Sequence, residues 1–177
     1  MVASSIDVVI TTFNRRGVVG RAIDSALNAS VDNVIVVDDA STDGTVKFLA
    51  DKYRSNKKVQ IHRCKKNIGV TGAKNIGFRL SRSNWVLFLD SDDTVIPSNA
   101  RLAYEILDRE IERPIVFFRC IDQRGEFVGF NRGQQINLNL KCYLANGSYG
   151  EALTAINKSL PIEQPYDERL RGYEGIG

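Results

Sequence analysis

The chain is poor in the residues that build disulfide frameworks and thiolate metal centres. Its three cysteines, Cys64, Cys120 and Cys142, are odd in number and far apart. No pair has metal-ligand spacing, so they read as reduced thiols in a cytoplasmic protein. The one histidine, His62, falls in a strand pattern and reads as a structural residue rather than a ligand. No run approaches the roughly 20 apolar residues that span a bilayer, and Met1-Val-Ala-Ser-Ser lacks the basic region and apolar core of a secretory signal. Excess charge of one sign is also missing: 24 Lys and Arg stand against 21 Asp and Glu, a net +3. The basic groups at Lys57-Lys58, Arg63 to Lys66 and Arg79 to Arg82 are broken by apolar residues, as solvated helix ends and loops are, and no nucleic-acid surface is expected. No internal repeat or low-complexity tract is present. What remains is an ordinary globular composition, 43% hydrophobic and 25% charged over 177 residues, enough for one domain with a real core.

Strands and helices alternate through the first two thirds. Ile6 to Thr11 is a β-branched run, followed by Val19, Ala22, Ile23, Ala26 and Leu27 at helical spacing. Val34 to Val37 is a second strand. Its helix opens around Ser41-Thr-Asp43, any of which can cap it, and buries Val46, Leu49, Ala50 and Tyr53. Val59 to Arg63 leads into a helix with Val70, Ala73, Gly77 and Leu80 inside, and Trp85 to Leu89 is the fourth strand. Pro97 suits the first turn of the next helix, with Leu102, Ala103, Ile106 and Leu107 inside and Glu105 and Arg109 paired outside. This rhythm, with near-continuous apolar strands, predicts an α/β fold: a mostly parallel sheet with helices on both faces. After Pro114, Ile115 to Cys120 and Glu126 to Phe130 predict an antiparallel hairpin through Gln123-Arg124-Gly125, and Glu151 to Lys158 a short helix.

The most informative stretch is Trp85-Val-Leu-Phe-Leu-Asp90-Ser91-Asp92-Asp93. A strand buried on both faces empties into clustered carboxylates, which at roughly 4 Å repel by about 4 kcal/mol at an effective dielectric near 20. A divalent cation carrying a phosphate is the natural partner, and Asp92 or Asp93 can hold it. Ligands of open parallel sheets bind off the carboxyl ends of the strands. Two further polar clusters fall there, Thr11-Thr12-Phe13-Asn14 and Asp38-Asp39. Phe13 offers an aromatic face to a base. A carboxylate after the second strand can accept an N–H from a pyrimidine, bind a ribose hydroxyl, or cap the next helix. The glycines of Asn67-Ile-Gly69-Val-Thr-Gly72-Ala-Lys74-Asn-Ile-Gly77 do not make the dinucleotide fingerprint. They suit a helix start that a ligand's backbone-facing groups can approach closely, with Lys74 facing a diphosphate or solvent.

These four segments, in this order, resemble glycosyltransferase family 2, inverting enzymes of the GT-A fold that use nucleotide-activated sugars. The resemblance covers about residues 5 to 100. It implies a Rossmann-like sheet and a single domain in which residues 1–100 bind a nucleotide-sugar, a UDP-sugar by expectation, and 101–177 serve the acceptor. It implies that Asp90-Ser91-Asp92 is the Asp-x-Asp motif, that Asp92 or Asp93 binds Mn²⁺ or Mg²⁺, and that Thr11, Phe13, Asp38 and Asp39 surround the nucleotide, with Gly69 and Lys74 nearby. Lys74 stands where the family commonly has Arg, which keeps the charge without a bidentate grip. The family supplies a catalytic carboxylate after the Asp-x-Asp motif; Tyr166-Asp-Glu168-Arg-Leu-Arg-Gly-Tyr-Glu174-Gly resembles that region, with Glu174 the best match and Asp167 and Glu168 behind it. The ending Gly175-Ile-Gly177 suggests an incomplete domain, with a base beyond Gly177 as the alternative. The activity implied is hexosyl or N-acetylhexosaminyl transfer to a glycan or lipid-linked acceptor in polysaccharide or cell-envelope synthesis, in the cytoplasm or at the inner face of the membrane. Two other readings stand beside it: a binding module without activity, and a nucleotidyltransferase, for which the loop after the first strand has too few glycines.

Overall fold

A computed structural model describes residues 4–128 and 152–169. In chain order these form β1 (Ile6–Thr12), α1 (Val19–Asn28), β2 (Asn33–Asp38), α2 (Thr45–Tyr53), β3 (Val59–Arg63), α3 (Val70–Leu80), β4 (Trp85–Asp90), a 3₁₀ turn (Pro97–Asn99), α4 (Ala100–Arg109), β5 (Ile115–Arg119) and β6 (Ala152–Asn157). The sheet order is β3-β2-β1-β4-β6-β5. Neighbours from β3 to β4 are parallel, and β6 runs antiparallel to both β4 and β5. The expected α/β architecture with a mostly parallel sheet is therefore what the chain adopts.

Alternate residues of the central strands feed two cores, as the two-residue period of a strand requires. Val8, Ile10, Val34, Val36, Leu87 and Leu89 join Val19, Ile23 and Ala26 of α1, Leu49 and Tyr53 of α2, and Leu107 of α4 on one face. Val9, Ile35, Val37, Val86 and Phe88 meet Ala73 and Phe78 of α3 on the other, together with Ile156 and Tyr166. The closest approach is at Gly77, where a Cβ would lie 2.3 Å from Val9 Cγ1. Gly77→Ala should therefore cost about 1–3 kcal/mol by overpacking, despite alanine's better helix propensity; urea denaturation reads this directly.

Several local expectations shift. Residues 152–157 are a strand, not a helix, since a short apolar run is ambiguous by periodicity alone and pairing with β4 and β5 on both sides decides it. Ile115 to Arg119 accordingly pairs with β6. Of the expected hairpin the described residues hold one bridge, Ile121 to Phe127, with Val128 N–H donating to Cys120 O, Asp122 N–H to Glu126 O, and Gly125 N–H closing the turn onto Asp122 O; residues 129–130 lie outside the described residues. Leu80 and Leu102, expected inside, are 39% and 56% exposed; Phe78 is buried on α3 and Leu107 on α4. Glu105 accepts from Arg101, a turn before it, rather than pairing with Arg109. Among the described residues no helix is long and apolar enough to cross a membrane.

Candidate active site

The strand order changes direction between β1 and β4: β2 and β3 lie to one side of β1, β4 to the other. Such a point opens a crevice at the carboxyl ends of the strands. The register brings the motif residues to it. Thr11 pairs across the sheet with Asp90, and Thr12 with Asp38. Three of the four segments singled out by sequence thus end on one rim, and the fourth, the start of α3, is tied to it by hydrogen bonds.

The rim loops are stitched to one another, which explains their residue types. Asn14 takes a left-handed backbone (φ 53°); its N–H donates to Ser41 Oγ (2.8 Å), and its side-chain carbonyl accepts from Thr42 N–H (2.8 Å). Arg16 N–H donates to Asp43 (3.1 Å), and Asp43 also accepts the N–H of Thr45, the first residue of α2 (2.9 Å); the N-cap itself is Gly44, not one of Ser41 to Asp43. Asp38 is fully buried and accepts the Ser41 N–H at 2.9 Å with one oxygen. Its other oxygen and the neighbouring Thr12 hydroxyl are buried without a hydrogen-bond partner among the described residues.

Asp39 is the cross-tie to α3. One of its oxygens accepts from Ile68 N–H (2.7 Å) and the other from Gly69 N–H (2.9 Å). A carboxylate has about four lone-pair positions, so capacity for a ligand N–H or hydroxyl remains. Gly69 has φ 85° and ψ 162°, a conformation that side chains disfavour, and this lets its amide reach Asp39. Phe13 stands at the same loop, 46% exposed, its ring available to a flat ligand. Behind them Cys64 is buried; burial, with Asp39 and Asp38 nearby, pushes its thiol pKa up and keeps it unreactive.

The acidic turn after β4 is open. Ser91 is buried, while Asp90, Asp92 and Asp93 are exposed, and Asp93 N–H donates to Asp90 O at 3.1 Å to close the turn. The segment that follows is pinned to α1 by Val95 N–H on Ser25 Oγ (3.0 Å). Lys74 does not point simply to solvent: its Nζ lies 3.5 Å from Asp90, with the side chain only 20% exposed. The donor chemistry fits a hard divalent cation, since Asp92 and Asp93 present carboxylate oxygens from one turn. Among the described residues no three His, Cys, Asp or Glu side chains surround a common point. A cation there would complete its shell with water and phosphate oxygens, as Mg²⁺ ordinarily does.

Of the carboxylates weighed for proton transfer, Asp167 is held by Arg169, whose Nε donates at 2.9 Å, and that hydrogen bonding lowers its pKa to about 2. So weak a base is a poor proton acceptor at neutral pH. Glu168 accepts from Asn75 at 3.1 Å. Glu174 lies outside the described residues. Asn75 and Tyr166, which sequence reasoning passed over, prove central to this side of the site; no local pattern marks a contact between residues so far apart.

A groove of about 500 Å³ on the outer side of α2, lined by Arg16, Gly44, Lys47, Phe48, Asp51 and Lys52, contains none of the rim carboxylates. Its lysines are already paired, Lys47 with Asp51 and Lys52 with Asp24, both at 2.6 Å, so it does not compete with the crevice.

A family model described as Glycosyl transferase family 2 matches residues 7–159. A chondroitin synthase of Escherichia coli is 30% identical over 132 residues, 71% of this chain and 19% of that protein. Succinoglycan biosynthesis protein ExoO of Rhizobium meliloti is 36% identical over 102 residues, 56% of this chain and 29% of that one. Among solved structures, S. aureus TarS 1–349 superposes with a TM-score of 0.60 at 22% identity, covering 76% of this chain and 38% of that chain. The same TarS fragment in complex with UDP-GlcNAc superposes with a TM-score of 0.59. The chain spans less than a third of the length of the first curated relatives it matches.

Proposed function

Since the chain belongs to glycosyl transferase family 2, we propose that it moves a sugar from a nucleoside-diphosphate sugar, a UDP-sugar by preference, to a hydroxyl of a glycan or lipid-linked acceptor. The single observation that carries this reading is the convergence of the Thr11-Thr12, Asp38-Asp39 and Asp90-to-Asp93 segments on the crevice between β1 and β4. The UDP-GlcNAc complex of TarS supports the choice of uridine.

In this reading Phe13 packs against the base, Asp39 accepts its ring N–H or a ribose hydroxyl, and Thr11 borders the same pocket. Asp38 acts from behind, fixing Ser41 and hence the loop. The amide-rich start of α3 at Gly69 allows the diphosphate to come close, and Lys74 supplies counter-charge. Asp90 and Ser91 face the sugar-diphosphate, and Asp92 or Asp93 would hold Mn²⁺ or Mg²⁺, which when bound neutralises the diphosphate as a leaving group. The acceptor oxygen forms its bond to the anomeric carbon as the bond from that carbon to the diphosphate oxygen breaks, with inversion. A carboxylate, Glu174 in this proposal, takes the acceptor's proton. Transfer in the cytoplasm or at the inner face of the membrane is part of the same proposal.

Thermal shift with UDP, other nucleoside diphosphates and Mn²⁺ tests the donor side. Uridine diphosphate with Mn²⁺ together should stabilise the protein most, by about 2.7 kcal/mol at a hundredfold excess over Kd, and a panel of UDP-sugars should then yield inverted product with a suitable acceptor. Equal response to every nucleotide would overturn the donor assignment. Binding with no turnover on any acceptor would make the chain a nucleotide-sugar binding module instead.

A further inference from the structure

Lys74 has two neighbours of complementary charge: Asp90, 3.5 Å from Nζ, and the face of the Tyr166 ring, its centre 5.5 Å away. Tyr166 is 5% exposed and meets Phe88 of β4 edge to face, with ring centres 5.1 Å apart at 85°. Its backbone is locked by Asn75, the residue next to Lys74. Asn75 Oδ1 accepts the Tyr166 N–H (3.1 Å), and Asn75 Nδ2 donates to Tyr166 O (2.9 Å). Asn75 has no exposed surface, so this reciprocal pair is made out of water, where leaving either partner unpaired is costly.

The Tyr166 ring serves two contacts at once: the edge-to-face pair with Phe88 and a face that attracts a cation by roughly 0.5–2 kcal/mol. With Asp90 alone, a flexible four-carbon stem carrying about 2 kcal/mol of rotamer entropy would let the ammonium collapse onto the acidic turn or swing to solvent. The ring adds a second, rigid point of attraction that narrows this range.

We propose that Tyr166 is a positioning residue for Lys74, clamped in place by Asn75, so that the chain's later segment sets the cation that meets the donor diphosphate. This rests on the reading of Lys74 as a diphosphate counter-charge, and goes beyond it by assigning the residue that orients it.

Calorimetric titration of UDP in the presence of Mn²⁺ tests the proposal on wild type, Tyr166→Leu, Tyr166→Met, Tyr166→Phe, Lys74→Met and the Lys74→Met/Tyr166→Leu double variant. Leu and Met should weaken UDP about 3- to 10-fold, inside the roughly 2- to 30-fold range that one lost cation–π contact spans, and Phe should recover most of the affinity. In the Lys74→Met background the Leu substitution should change Kd by less than about twofold, because there is no ammonium left to orient. Weakening of equal size in both backgrounds would show that Tyr166 acts through packing alone and overturn the proposal, as would unchanged affinity in Tyr166→Leu. Wild type that binds no UDP would fell the donor reading itself, a separate outcome. An NMR measurement on the unmutated chain covers variants that do not fold: the Lys74 ε-methylene protons should be shifted upfield by the Tyr166 ring, and random-coil shifts there would equally overturn it.

Discussion

Asp92→Asn should lower kcat/KM for sugar transfer by about a thousandfold while leaving thermal stability nearly unchanged. The two halves of this expectation come from different observations. Asp92 is exposed on the turn after β4, and surface substitutions away from caps and networks usually stay within about 0.5 kcal/mol. The activity loss follows from its proposed task. A hard cation held by one or two carboxylates depends on each for charge and geometry, and loss of several kcal/mol of leaving-group stabilisation corresponds to roughly three powers of ten. Steady-state kinetics on Asp92→Asn, Asp93→Asn and the double variant would show which carboxylate carries the role. Wild-type turnover by all three would remove the acidic turn from the mechanism.

Asp7→Ala should be strongly destabilising, by about 3–5 kcal/mol, or near 10 °C in Tm for a chain of this size. Asp7 lies in β1 at the end of the sheet opposite the crevice and is 1% exposed. It accepts from Asn33 Nδ2 (2.8 Å), Ser81 Oγ (2.8 Å), Arg82 N–H (2.9 Å), Ser83 N–H (3.2 Å) and Ser83 Oγ (2.8 Å). These bonds fix the connection from α3 to β4 and, through Asn33, the start of β2. Truncation would strand the Ser81 and Ser83 donors where water reaches poorly. Burial on its own raises the Asp7 pKa, but the hydrogen bonds from Asn33, Ser81, Arg82 and Ser83 together outweigh it, and the net shift is downward. A lowered folded pKa means the stabilisation is full above the unfolded value of about 3.9 and is lost as pH falls through the folded value. The gap in unfolding free energy between wild type and Asp7→Asn should therefore be constant above about pH 5 and narrow below it. A gap that widened on acidification would contradict this account of the carboxylate.

The first two thirds of the fold were legible because the physics there is local. Apolar runs such as Val34 to Val37 and Trp85 to Leu89, rich in β-branched and aromatic residues, favour interior strands, and the helices between them carry clear stripes. The rim segments were legible too, since polar residues placed directly after buried strands ask for a reason. What lay hidden was long-range. Asp7 looks like a lone polar residue near the start of a β-branched run, and only the fold reveals that residues 81–83 close over it. Nothing near Asn75 or Tyr166 announces that they share hydrogen bonds across 91 positions. Residues 152–157 read as helix because their six positions are too few for periodicity to separate the two forms, and their neighbours in the sheet decided the matter.

Crystals grown with UDP and Mn²⁺, and measured at the manganese absorption edge, test the central claim most directly. The account predicts one anomalous peak within coordination distance of the Asp92 or Asp93 carboxylate, shared with the diphosphate, and the uracil near Phe13 and Asp39. A peak elsewhere, or a bound nucleotide with the turn after β4 bare, would contradict it.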